Sequence, residues 1–270
     1  SIISEAIHSS LDLLAAIIAF FSIRISVKPP DKNHQYGHSK YENISGTIES
    51  LLIIIAVIWI IYEATIKIIY PQKIENIILC IIIMAISGII NLFVSKMLYK
   101  VAKEEDSVAI EADALHLKTD VYSSIGVALG LTIIYFTGWT FLDPFIAIAI
   151  AIYIAIEAYH LLIKAFSPLT DVSIEQNKLN DIINIIINNH NVCSIPHSIR
   201  SRKSGNKQFI DLHLEFNPAM TIYDVHKICD QIEDNINFDY PNTEIIIHPE
   251  VCDGNCDNCH YKKQMKNGNT

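Results

Sequence analysis

Charge is what this 270-residue chain has least of: Asp, Glu, Lys and Arg together make up 18%, against about 25% in soluble domains. Glycine and proline are also sparse, at nine each, which excludes a collagen-like or linker-rich chain. Six cysteines are too few for a disulfide framework, and three of them crowd into the last twenty residues. Basic residues do not dominate. The net charge is −9, so no cationic surface is available to displace counterions from a phosphate backbone, and a nucleic-acid partner is excluded. What is abundant is apolar surface, with 51% hydrophobic residues and a mean hydropathy of +0.31, which excludes disorder. Eleven histidines remain, and their spacing decides the rest.

Five apolar runs, Ile3–Ser26, Gly46–Tyr70, Ile77–Leu98, Val108–Tyr135 and Phe141–Ala165, occupy residues 1–167. Each is long enough for the roughly 20 residues a helix needs to cross a bilayer, and too long for buried strands. Arg24, Lys28, Lys32 and Lys40 cluster around the first connection, and Lys100 and Lys103 around the third. The positive-inside rule therefore puts the 27–45 and 99–107 connections, and everything after residue 165, in the cytoplasm. Counting back five crossings puts Ser1 outside, and with no initiating Met we expect a further helix ahead of it.

Residues 168–250 read as a small soluble α+β domain. Ser173 and Gln176 form an expected capping box opening a helix to about Asn189. Alternating segments at 194–202 and 208–216 flank a hairpin signal at 203–206; a second helix from about Ile222 to Ile236 and a strand at 243–248 follow. The order αββαβ suits an open sheet with both helices on one face, a ferredoxin- or metallochaperone-like arrangement. Residues 251–270 form a polar tail.

His8 and Asp12 in the first run, and His116 and Asp120 in the fourth, are spaced i, i+4, so each pair shares a helical face. Ionisable groups inside a span cost at least about 2.5 kcal/mol at its centre, so they face a partner or a cavity. Two imidazoles and two carboxylates supply the four N/O donors of tetrahedral Zn²⁺; interhelical hydrogen bonds without metal are the alternative. Asp31, His34 and His38 form a second candidate cluster in the first cytoplasmic loop, and His197, His213, His226, His248 and Glu250 a third in the soluble domain. Cys252, Cys256, Cys259 and His260 offer a further zinc set in the tail, or plain thiols; Cys256, Cys259 and His260 also match the pattern of c-type haem attachment, an extracytoplasmic modification that a cytoplasmic tail disfavours. Glu49 and His160 read as polar contacts inside the bundle, and Cys80, Cys193 and Cys229 as fillers.

With these motifs the chain resembles the cation diffusion facilitators, divalent-metal/proton antiporters, and most of all their bacterial ferrous-iron/zinc efflux subgroup. The motifs are residues 8–12, 31–42 and 112–120 in the membrane part, and 196–205, 210–215 and 247–250 in the soluble part. The resemblance spans residues 1–252. It implies six membrane helices, a cytoplasmic αββαβ domain, a homodimer in the cell membrane, and no enzymatic activity. It further implies a transport site at His8, Asp12, His116 and Asp120, a loop site at Asp31, His34 and His38, and a cytoplasmic site at His197, His213, His226, His248 and Glu250. By the same resemblance Lys40 joins a salt bridge near the dimer contact, with Asp171 as its partner. The chain departs from the pattern at His8, where relatives often carry Asp, and at Pro249, which puts no polar side chain between His248 and Glu250. An extra imidazole favours Zn²⁺ over harder ions. The expected function is Zn²⁺/H⁺ antiport out of the cytoplasm by alternating access, metal binding releasing protons and protons releasing metal. The alternatives are an exporter of Fe²⁺, Co²⁺, Cd²⁺ or Mn²⁺, and a membrane-anchored zinc sensor without transport.

Overall fold

The computed structural model describes residues 2–70, 77–137, 142–188 and 192–252; the side chains of 1–12, 71–80, 131 and 134–143 lie outside that description. The chain forms two compact units, Ser1–Leu169 and Thr170–Thr270.

The first unit is helical: α1 Ile2–Ser26, α2 Lys40–Ile69, α3 Ile77–Glu105, α4 Val108–Thr137 and α5 Leu142–Phe166, followed by a 3₁₀ turn at Ser167–Thr170. Among the described residues three stretches are long and apolar enough to cross a membrane, Lys40–Ile69, Ile81–Glu105 and Pro144–Thr170. All five expected runs are helical, α1 and α4 falling outside these three. The described apolar part of α1, Leu13–Ser26, is shorter, and α4 carries Glu111, Asp113, Lys118 and Asp120 in its first half. The outward faces of the long helices are apolar, with Ile55, Trp59, Ile86 and Phe93 exposed, as a lipid-facing surface requires.

Two boundaries differ from the hydropathy reading. α2 begins six residues earlier, at Lys40 instead of Gly46, because its first turns bury polar side chains: Glu42, Asn43 and Ser45 are all within 6% of full burial. The 99–107 connection is not a loop. α3 runs to Glu105, Asp106 takes φ 50°, and the Ser107 N–H donates to Ala102 O at 2.9 Å, a left-handed helix ending of the Schellman kind. Ser107 Oγ then accepts from Ile110 N at 3.3 Å, capping α4.

Small residues let these helices approach. Ala151, Ala158 and Ala165 on α5, seven residues apart, are fully buried, as is Ala112 on α4. They pack with Ile53, Val57, Leu115 and Ile154, the small-residue interface that association within lipid favours. A Cβ on Gly46 would stand 3.0 Å from Val108 Cγ1 and 3.3 Å from Ala165 Cβ. Gly46→Leu is therefore expected to destabilise the bundle by about 1–3 kcal/mol, read as a lowered midpoint in thermal unfolding in detergent. An unchanged midpoint would refute this close approach.

The second unit contains α6 Gln176–Ile187, β1 His197–Ser204, β2 Lys207–Phe216, α7 Ile222–Asp239 and β3 Thr243–Val251. The sheet order is β1-β2-β3, with β1 and β2 antiparallel and β2 and β3 parallel across α7. Ile210, Leu212, Leu214 and Phe216 alternate into the core and meet Ile182 and Ile186 of α6 and Ile228, Ile232 and Ile236 of α7. Both helices thus cover one face, and among the described residues of this unit the other face is open. Gly205, at φ 58°, occupies the first central position of the two-residue hairpin turn, where a type II′ turn needs a positive φ.

The expected capping box is absent. Glu175 is the N-cap, without a side-chain hydrogen bond. The segment at Ser173 lies alongside β1 instead: Lys203 N donates to Val172 O at 3.3 Å, Ile174 N to Ser201 Oγ at 3.4 Å, and Ile174 is buried. The true cap is on α7, where Thr221 Oγ1 accepts from Asp224 N at 3.2 Å and donates to Asp224 Oδ2 at 2.6 Å. β1 starts three residues later than the alternation at 194 suggested, and β3 runs on to Val251.

Candidate metal centres

In the loop between α1 and α2, the side-chain donors of Asp31, His34 and His38 lie within 4.8 Å of one another. Asp31 organises the loop. Its Oδ1 accepts from the backbone N–H of His34 at 2.7 Å and of Asn33 at 2.8 Å, an Asx-type turn. Gly37, at φ 81°, reverses the chain, bringing the rings of His34 and His38 to 4.4 Å between centroids. His34 Nδ1 stands 3.2 Å from Asp31 Oδ1, and His38 Nε2 stands 3.3 Å from Oδ2. The two backbone donors, His34 foremost, hold the Asp31 carboxyl below the ordinary aspartate range, so it is ready as a charged ligand. His38 is buried, and among the described residues its Nδ1 has no hydrogen-bond partner.

The open face of the second unit carries the other cluster. The register pairs His197 with His213 and His213 with His248, placing the three at one level across three strands. Neighbouring ring centroids are 5.5 Å and 4.7 Å apart. Glu250, two residues beyond His248 on the same face, accepts from His213 Nδ1 at 2.8 Å and His197 Nε2 at 3.1 Å. The His213 hydrogen bond is the main reason its carboxyl sits below the ordinary glutamate range. The donors of His197, His213 and Glu250 lie within 4.8 Å of one another. Two imidazoles and a carboxylate fit a borderline ion such as Zn²⁺ and leave a fourth position for His248, water or another ligand.

A bulge sets this alignment. The register shifts between His197 and Arg200, and Ser198 takes φ 52°. One extra residue on β1 turns His197 onto the face of His213. Pro249 pairs with Leu214, whose side chain is in the core, so a polar residue at 249 would point away from the histidines. As β3 is an edge strand, proline is tolerated there.

His226 is not brought to this cluster within one chain. It lies on α7, on the covered side of the sheet, 71% exposed, with its Nδ1 3.4 Å from Asp230 Oδ1. Asp171 pairs with Arg202 at 3.5 Å. In the first unit His116 and Asp120 share one face of α4 and are half-buried; α1 packs against α4, and the side chains of His8 and Asp12 lie outside the described residues. Glu49 is buried and accepts from Ser45 Oγ at 3.1 Å. His160 is exposed on α5 instead of interior, because α5 turns its alanines inward. Cys193, Cys229 and Cys252 are buried; the side chain of Cys80, and Cys256, Cys259 and His260, lie outside the described residues. Asp113, three residues before His116 and half-buried, is a carboxyl that the reading of the sequence passed over. An acidic residue sharing the helical face of His116 and Asp120 was its signal.

A model of the cation efflux transmembrane domain matches residues 1–170, and one of the cation efflux protein cytoplasmic domain matches 174–252. An uncharacterized transporter of Synechocystis sp. is 30% identical over 249 residues, covering 92% of this chain and 80% of its own length. Protein p34 of Rickettsia rickettsii is 30% identical over 251 residues, covering 93% and 82%. A cation-efflux pump FieF of Escherichia coli is 27% identical over 252 residues, covering 93% and 83%. Among solved structures, the zinc form of the putative zinc transporter CzrB aligns at 20% identity and TM-score 0.28, covering 32% of this chain and 98% of that one. The metal-bound C-terminal domain of the CzcD transporter from Thermotoga maritima aligns at 27% identity and TM-score 0.27, covering 29% and 94%.

Proposed function

The chain belongs to the cation efflux family, a multi-pass membrane transporter of divalent metal cations with a cytoplasmic C-terminal domain, and from that premise we propose that it exports Zn²⁺ in exchange for protons. The observation that carries this reading is the His116–Asp120 pair, half-buried on one face of α4, matched in form by His8 and Asp12 on α1, which packs against α4.

Four such donors bind Zn²⁺ in their deprotonated forms, so metal and protons compete for the same atoms. Imidazole as a class titrates near about 6.5, which suits exchange at physiological pH. Alternating exposure of the site to the two sides then moves zinc outward and protons inward. The loop and cytoplasmic clusters bind the same ion on the cytoplasmic side, and the cytoplasmic domain joins two chains as a homodimer. Working back from that domain, the α1–α2 loop lies on the cytoplasmic side.

The test is metal uptake into proteoliposomes across a panel of Zn²⁺, Cd²⁺, Fe²⁺, Co²⁺ and Mn²⁺. The chain should favour Zn²⁺. His8→Asp replaces an imidazole with a harder oxygen donor and should raise transport of the harder Mn²⁺ relative to Zn²⁺ about tenfold. An identical metal profile in the variant would remove selectivity from that position, and a chain that moves none of these ions would end the transport reading.

A further inference from the structure

Helices α4 and α5 run antiparallel along one seam. At its cytoplasmic end, where α5 leads on to the second unit, Lys164 Nζ donates to Glu111 Oε2 at 2.6 Å. Deeper in the membrane the rings of Tyr122 and Tyr153 meet edge to face, with centroids 5.3 Å apart. Past these tyrosines the seam opens into a groove of about 340 Å³, lined by Ile125, Gly126 and Leu129 of α4 and Ile146, Ala149 and Ile150 of α5. That volume is in the range of small-ligand sites, and the walls are apolar. Ile125, Leu129 and Ala149 are exposed, so the groove lies on the outside of the bundle.

The polar groups gather at its cytoplasmic mouth. Lys118 Nζ stands 5.6 Å from the ring centroids of both Tyr122 and Tyr99, the latter on α3. Two aromatic faces hold the ammonium there. Lys118 lies one turn before Tyr122 and Glu157 one turn after Tyr153, so the antiparallel register sets them at the same level across the seam. Among the described residues no ion pair joins the two, and neither has another: Glu111 is taken by Lys164. Tyr99 fixes the depth. It stands between the exposed Lys96 and Lys100 at the cytoplasmic end of the apolar stretch of α3. The Lys118 ammonium beside it is therefore at the level where hydrocarbon gives way to headgroups, which tyrosine and lysine favour.

A cation and an anion facing each other without pairing, at the mouth of an apolar groove, are complementary to a zwitterion on an apolar chain. We propose that this groove binds a phospholipid of the cytoplasmic leaflet whose headgroup carries a primary amine, as phosphatidylethanolamine does. One acyl chain lies between α4 and α5, the phosphate meets Lys118, and the ammonium meets Glu157. A quaternary ammonium has no N–H to donate to Glu157, and an anionic headgroup has no cation for it. The site is separate from the proposed transport site, because residues two apart, such as His116 and Lys118, lie on opposite sides of a helix.

The experiment is native mass spectrometry of the purified chain in detergent, titrated with phosphatidylethanolamine, phosphatidylcholine or phosphatidylglycerol of matched acyl chains. Wild type should bind phosphatidylethanolamine about tenfold more tightly than the other two. Glu157→Gln should bring it down to the level of phosphatidylglycerol, and Lys118→Ala should lower its affinity about tenfold. Ala149→Trp, which fills the groove, should weaken all three. If Lys118→Ala does not fold, Lys118→Met, which keeps the stem packed on the tyrosines, decides in its place. Equal binding of the three lipids by wild type overturns the proposal. So does tighter binding of phosphatidylglycerol, which marks a site for anionic lipid, or an unaltered preference in Glu157→Gln. Ala149→Trp that shifts the monomer–dimer balance and leaves lipid binding unmoved gives the groove to a second copy of the chain and overturns it as well.

Discussion

Asp120→Ala is expected to abolish zinc-driven proton flux in proteoliposomes, leaving less than about a hundredth of the wild-type rate, equivalent to roughly 2.7 kcal/mol or more. The site proposed on α1 and α4 has four donors and no surplus. Removing one carboxylate takes away both a ligand and a negative charge, so Zn²⁺ is left with three donors and a poorer charge balance in a low-dielectric bundle. Asp120→Asn separates the two losses, since it keeps the shape and one oxygen. It should be nearly as impaired if charge dominates. The fold should survive both changes, because the Asp120 side chain is half-buried, while α4 is anchored by Val108, Ala112 and Leu115 on its core face. Full flux in Asp120→Ala would remove this residue from the transport site.

His213→Ala carries the second large effect. His213 is the centre of the row: Glu250 accepts from it at 2.8 Å, and its ring lies between those of His197 and His248. Its loss should lower zinc affinity of the cytoplasmic cluster about a hundredfold, measured by competition with a chromogenic chelator on the whole chain. Zinc taken up by the proposed loop cluster would serve as the internal reference. The core should be indifferent, since Leu212 and Leu214 on either side point the other way. The acid side of the stability profile should respond as well. Glu250 is depressed below its ordinary value of 4.5 chiefly by His213. That pairing adds stability above the ordinary value, and the contribution is lost as pH falls through the lower folded value. Without His213 the Glu250 carboxyl protonates at higher pH, so the variant's acid unfolding should begin earlier. Equal zinc affinity and an equal acid limb would show that His213 is an ordinary surface residue.

The parts of this chain governed by periodicity were legible in advance. The helical spans, the αββαβ order and the loop triad all follow from apolar runs, alternation and close spacing in sequence. The parts governed by tertiary contact were not. The start of α2 was hidden because Glu42, Asn43 and Ser45 are polar yet buried, Asn43 donating to Ala165 O at 3.3 Å. Ser173 has the composition of a cap, but Ile174 beside it is drawn into the core. His226 matched its motif by position, while only the packing of α7 on the sheet reveals that it faces away. His160 and Glu49 looked alike as lone polar residues in apolar spans, and helix rotation puts one outside and the other inside.

The left-handed Ser198 has an unusual genetic consequence. Were β1 to pair regularly without shortening, Ser198 would stand opposite His213, and His197 opposite Leu214 on the core side. Were Ser198 deleted, the ladder would run unbroken from Arg200 to Ile199 to His197, and His197 would again face His213. The residue acts as a spacer, not as a contact. A β-branched substitution there, which resists positive φ, is therefore more damaging to the histidine row than losing the residue altogether. Along this short stretch, a one-codon deletion is the milder lesion and a conservative-looking replacement the harsher one.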